Sequence, residues 1–119
     1  MRKPGVYLKR VYEPAAPADG VRVLVDALWP RGVGKAKARL HEWSKDVAPS
    51  KELRQWFGHD PARWDEFRRR YRAELADKPE TLEHLRSLAR ERPVTLLFSA
   101  RNTQHNNAIV LKEVLEEGM

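Results

Sequence analysis

The chain contains no cysteine. Disulfides, thiolate metal ligands and thiol nucleophiles are excluded at once, and nothing speaks for an oxidising compartment. Long apolar runs are missing too. The longest are a few residues, against the roughly 20 that a membrane-spanning helix needs, so no membrane partner is expected. The N-terminus, MRKPGVYLKRVY, is basic but lacks the apolar centre of a signal peptide. The expectation is a cytoplasmic protein. Neither a P-loop nor a G-x-G-x-x-G fingerprint occurs, and no cofactor is expected. The four histidines, His41, His59, His84 and His105, stand without ligand spacing, which argues against a dedicated transition-metal site.

What is present fits one domain over residues 1–119. A chain of 119 residues buries roughly two-thirds of its unfolded surface without metal or disulfide support. Lys and Arg number 23 against 17 Asp and Glu, a net charge of +6. That balance suits an anionic partner, whether nucleic acid, phosphate or a carboxylated metabolite, and it suits a merely soluble basic surface equally well.

Residues Val6 to Tyr12 and Val21 to Val25 are rich in β-branched and aromatic side chains and read as strands. Glu13 to Gly20, with two prolines and a terminal Asp-Gly, reads as the loop between them, and the relative direction of the two strands stays open. Lys35 to Pro49 is charged, with Leu40, Trp43 and Val47 at near-helical spacing. Ser50 to Gly58 predicts a short helix with a serine N-cap and a closing glycine, and Asp60-Pro61 predicts the start of another. From Pro61 to about Ala76, Trp64, Phe67, Tyr71 and Leu75 share one helical face, with Arg63, Arg68, Arg69, Arg70 and Arg72 largely off it. Pro79 opens a further helix with Leu82, Leu85, Leu88 and Ala89 inward. Pro93 to Phe98 reads as a strand covered on both faces, and His105 to Glu117 as the last helix. The order predicts an α/β domain in which the strands before Asp26 and after Pro93 are parallel neighbours, with helices on the faces.

In such sheets ligands collect at the carboxyl ends of strands. Two loops qualify here. In Asp26-Ala-Leu-Trp-Pro-Arg-Gly-Val-Gly34, Asp26 ends a strand, Trp29-Pro30 forms a stiff wall and Arg31 is a candidate anion clamp. In Ser99-Ala-Arg-Asn-Thr-Gln-His105, which enters a helix, Arg101, Asn102, His105 and Asn106 surround a helix N-terminus that favours an anion. Each residue has a plainer reading. Asp26 serves equally as a structural partner of a neighbouring arginine or loop N–H, and Trp29 as a wall residue. For Ser99 and Asn102, turn and cap roles come first. His105, at a helix N-terminus, has its charged form disfavoured and suits proton exchange. The run Arg68 to Arg72 is interleaved with Asp65, Glu66 and Glu74, which favours a solvated face over a nucleic-acid patch.

The segments KRVYEPAAPADGVRVLVDALWPRG, LRQWFGHDPARWDEFRRRY and PVTLLFSARNTQHNNAIVL, in that order, resemble the YeaO-like branch of the domain-of-unknown-function family 488. The resemblance implies a small bacterial-type cytoplasmic α/β protein, three-layered and Rossmann-like, with a short mainly parallel sheet flanked by helices. It brings no established activity. In that branch the strand usually ends in Asp-Arg-Leu-Trp-Pro-Arg-Gly, and Ala27 here replaces the first arginine, so a site that arginine completes would be weakened or altered. Other branches carry a cysteine after the last strand and a Cys-His-Arg element at the next helix; this chain has Ser99 to Arg101 and Gln104 to Asn107 there, so no thiol chemistry transfers. Asp26, Arg31 and His105 are the positions that do.

Two functional readings follow. The first is an enzyme, or a degenerate relative of one, holding a small anionic molecule between the two loops. Asp26 would act as base or orienter, His105 as proton donor, Arg31 and Arg101 as anion clamps and Ser99 as hydrogen-bond donor, with Trp29, Asn102 and Asn106 lining the site. Ser99 lacks a nucleophile elbow, which disfavours triad chemistry. The second reading is a nucleic-acid-binding or regulatory module using the positive charge. Reaction type and oligomeric state are not legible in the residues.

Overall fold

Six consecutive residues, Pro93–Phe98, are buried on both faces and form the central strand of a parallel sheet in the computed structural model, which describes residues 2–119. The strands are β1 (Gly5–Arg10), β2 (Val21–Leu24), β3 (Glu42–Trp43) and β4 (Pro93–Phe98). Their spatial order is β1-β4-β2-β3, and every neighbouring pair is parallel. The expected adjacency of β2 and β4 therefore holds, with Val23 opposite Leu96 and Leu24 opposite Leu97. The direction left open for β1 and β2 resolves as parallel, each strand flanking β4.

Helices follow as α1 (Lys35–Ala38), α2 (Lys51–Phe57), α3 (Trp64–Ala76), α4 (Pro79–Glu91) and α5 (Asn107–Glu117), with 3-10 turns at Pro17–Asp19, Lys45–Val47 and Pro61–Arg63. Local chemistry sets several boundaries. The Ser50 hydroxyl accepts from Leu53 N–H at 3.1 Å to start α2, and Gly58 ends it in the left-handed conformation. Asp60 caps the turn that leads into α3 by accepting from Ala62 N–H. The stretch from Lys35 to Pro49 is not one helix. It is a single helical turn, the two-residue strand β3 and a 3-10 turn, because Leu40 and Trp43 pack on one face of the sheet while Val47 joins the core on the other.

The pleat sorts the side chains. Val21, Val23, Val94, Leu96 and Phe98 face the main core, which Phe57, Phe67, Tyr71, Leu85, Leu111 and other residues of α2 to α5 complete. Leu24 and Leu97 point the opposite way, into a smaller cluster with Val11, Trp29, Val33, Leu40 and Trp43. That face is covered by α1, the Pro17–Asp19 turn and loops rather than long helices.

A buried ionic group pins this covering. Arg22, 3% exposed, donates to Asp19 at 2.5 Å and to the Ala38 carbonyl at 2.9 Å, while Lys9 pairs with Asp19 at 2.9 Å. Burial raises the Asp19 pKa, but the Ala16 N–H, Lys9 and Arg22 outweigh it and hold the carboxyl below its ordinary value. Gly20, at φ 64°, brings the loop from β1 against β4. A Cβ there would lie 2.2 Å from the Pro93 carbonyl oxygen, so only glycine fits.

The arginine run on α3 is paired. Arg68 meets Glu113 at 2.8 Å, Arg69 and Arg70 share Glu66, and Arg72 meets Glu117 at 2.5 Å. Arg69 first, then Arg70, draws Glu66 down to about 2.

Candidate functional site

The parallel register of β2 and β4 carries their following loops to the same edge of the sheet. There Asp26 receives three hydrogen bonds. Its Oδ2 accepts the backbone N–H of Ser99 at 2.9 Å and the Ser99 hydroxyl at 2.7 Å, and its Oδ1 accepts from the Asn107 amide at 3.3 Å. The same Asn107 amide donates to the Val25 carbonyl at 3.0 Å, so α5 is tied to the end of β2. The carboxylate thus joins two loops and a helix. Its charge also reaches the buried Tyr71 phenol, which burial first, then Asp26 and Glu74, push well above the ordinary tyrosine value.

Beyond Asp26 the loop is braced. Its backbone carbonyl at Asp26 accepts from the Trp43 indole at 2.8 Å, the Trp29 indole donates to the Val33 carbonyl at 2.7 Å, and the Tyr12 hydroxyl donates to the Arg31 carbonyl at 3.0 Å. Trp29 and Trp43 meet edge to face at 5.3 Å. Four anchors along one short loop leave its shape largely preset.

Above this edge lies an open cleft of about 570 Å³. It is lined by Asp26 and Ser99 together with Trp29, Pro30 and Arg31 of the loop after β2 and with Arg54, Phe57 and His59 of α2 and its exit turn. Arg31 is exposed, and its guanidinium has no ion pair or hydrogen bond among the described residues. Arg54 donates to the Pro49 carbonyl at 3.3 Å. Asp26, the one carboxylate among the described residues that line the cleft, has its oxygens engaged by Ser99 and Asn107.

Residues 5–119 match the family described as the inactive DUF488-N3 subclade. The chain belongs to that subclade. Similar relatives include "Uncharacterized protein YeaO" of Escherichia coli (strain K12), 46% identical over 110 residues, covering 92% of this chain and 96% of the relative. "Uncharacterized protein Rv3073c" of Mycobacterium tuberculosis (strain ATCC 25618 / H37Rv) is 46% identical over 115 residues, covering 97% of each chain. No solved structure matches. The resemblance read from the three motifs is thereby borne out.

In this DUF488-N3 chain the sequence-predicted residues divide. Asp26, Trp29, Arg31, Ser99 and Asn106 line the cleft; Arg101, Asn102 and His105 do not. The His105 ring packs against Trp64 at 4.9 Å between centroids, and its Nδ1 lies 3.4 Å from the Asn102 amide. Asn102 accepts the backbone N–H groups of Gln104 and His105, forming the turn into α5. Asn106, 2% exposed, caps α5 by accepting from Ile109 N–H. Tyr12, Arg54 and Asn107 line the cleft without a local sequence signal, and so does His59 apart from one cue. His59 had the one visible cue, its place in a turn between helices, where its φ is 57°.

No group of three or more His, Asp or Glu that could hold a metal occurs among the described residues. No described helix is long and apolar enough to cross a membrane.

Proposed function

We propose that the protein is a non-catalytic binding domain whose cleft, above the carboxyl ends of β2 and β4, holds a small anionic molecule. The observation that carries this reading is the division of charge: the Asp26 carboxylate is turned inward onto Ser99 and Asn107, while Arg31 and Arg54 stand on the cleft walls. An anion entering meets the Arg31 and Arg54 cations, while the oxygens of Asp26 are taken up by three hydrogen-bond donors. Its volume lies in the usual range for small-molecule sites.

Catalysis has less support. The Ser99 hydroxyl donates to Asp26, not to an imidazole, and His105 sits against Trp64, so no nucleophile and base are paired. The description of the subclade as inactive agrees with binding rather than turnover. The nucleic-acid reading gains nothing from the arginine run, whose members are matched to glutamates.

Titration with inorganic phosphate and sulfate, followed by amide chemical shifts, tests the proposal. Saturable shifts around Arg31 and Ser99, weakened several-fold by Arg31→Ala, are expected; a flat response to both ions overturns it. Salt dependence should be mild, unlike the steep log-linear loss of a phosphate-backbone binder.

A further inference from the structure

We infer that the preferred ligand of this cleft is a planar ring carrying one anionic group, an aryl phosphate or aromatic carboxylate, with a bare oxyanion held more weakly. The inference rests on the anion-binding reading above and adds what the walls demand.

Size comes first. A cleft of about 570 Å³ is far larger than one phosphate, which could touch the cations on only one side. Exposure points the same way. Three large hydrophobic side chains are exposed among the described residues, and two of them, Leu28 at 68% and Tyr12 at 45%, line this cleft. Apolar groups gathered at one concave place mark a binding site more than a solvated loop. Neither residue hangs on a loose segment. Leu28 lies between the anchored Asp26 and Trp29, and Tyr12 is fixed by its bond to the Arg31 carbonyl and by the Arg10 guanidinium 5.0 Å from its ring centre. The half-buried Trp29 and the exposed Tyr12 and Leu28 line the same cleft as Arg31 and Arg54, so aromatic surface and positive charge occur together. A ring in this cleft makes favourable stacking or edge contacts with Trp29 or Tyr12, while its acid pairs with Arg31 or Arg54. Because the loop is already braced, little ordering opposes binding.

The test uses the full chain and four probes: inorganic phosphate, phenyl phosphate, benzoate and cyclohexanecarboxylate, each titrated by calorimetry and by the assigned Trp29 indole N–H resonance. Phenyl phosphate should bind about tenfold tighter than inorganic phosphate, and benzoate tighter than cyclohexanecarboxylate, with a ring-current shift at Trp29. Leu28→Ser, at an exposed position that should leave the fold unchanged, should narrow the advantage of the ring. Phosphate and phenyl phosphate binding equally would overturn the inference and leave the anion-binding reading standing. Equal affinity for benzoate and cyclohexanecarboxylate would overturn the planar requirement. If none of the four binds, both readings fall.

Discussion

One oxygen of Asp26 holds Ser99 twice, taking its backbone N–H at 2.9 Å and its hydroxyl at 2.7 Å across two loops far apart in the chain. Removing the acid leaves a half-buried N–H and a hydroxyl without their acceptor. Asp26→Ala should therefore lower stability by about 2–3 kcal/mol, whereas Ser99→Ala, which loses only the hydroxyl bond, should cost about 1 kcal/mol. Urea unfolding of both single variants and the double variant measures this. A double variant no worse than Asp26→Ala would show the coupling; full additivity would contradict it.

How much of this was legible in the residues differs by element. The strand before Asp26 and the strand after Pro93 announced themselves through dense β-branched and apolar residues, because both are buried on two faces. Ser50, Gly58 and Asp60 announced their helix boundaries because capping is local chemistry. The strand at Glu42–Trp43 gave no such sign: two residues carry no period, and its existence depends on the open edge of β2. The cleft follows the same division. Asp26, Arg31 and Ser99 could be placed from strand ends alone, but Arg54 and His59 arrive from α2 and its exit turn, whose docking is decided by Phe57 packing on Phe67 at 4.2 Å. His105 went elsewhere because the turn made by Asn102 directs it to Trp64.

Acid should unfold the protein partly through Asp19. Its folded pKa lies below the unfolded value, so its stabilisation is complete above the ordinary carboxylate range and is lost as pH falls through the depressed folded value. Asp46, lowered chiefly by the Thr81 hydroxyl, and Glu113, lowered chiefly by Arg68, act in the same direction. Thermal scans should show a nearly level melting temperature from about pH 7 to 5 and a decline below about pH 4. Asp19→Asn should reduce that decline. The same variant should be less stable at pH 7 by about 3 kcal/mol or more, since buried Arg22 loses its ion-pair partner.

Gly20→Ala should be among the most damaging single-methyl changes in the chain. The added carbon meets the Pro93 backbone, and the left-handed conformation disfavours any side chain. A loss of about 3 kcal/mol or more is expected by urea denaturation. An alanine variant of native stability would mean that the loop approaches β4 less closely than described.

Arg31→Ala should separate binding from folding. The side chain is exposed and unpaired among the described residues, so its loss should shift stability by no more than about 0.5 kcal/mol while anion affinity falls. A marked drop in melting temperature without ligand would give Arg31 a structural role instead.

The order β1-β4-β2-β3 has a consequence for the nascent chain. The strand that joins the two sides of the sheet is the last of the four to be synthesised, and Gly5 cannot meet Pro93 until all the helices but α5 have been made. During translation β1 and β2 wait without the strand that lies between them, and helices α1 to α4 have no complete sheet to dock on. Folding of the domain then waits until Pro93–Phe98 has left the ribosome, slowed by the long loops that must close. A ribosome stalled before Pro93 should hold a chain that proteases cut freely, and one stalled well beyond Met119 should hold a resistant one.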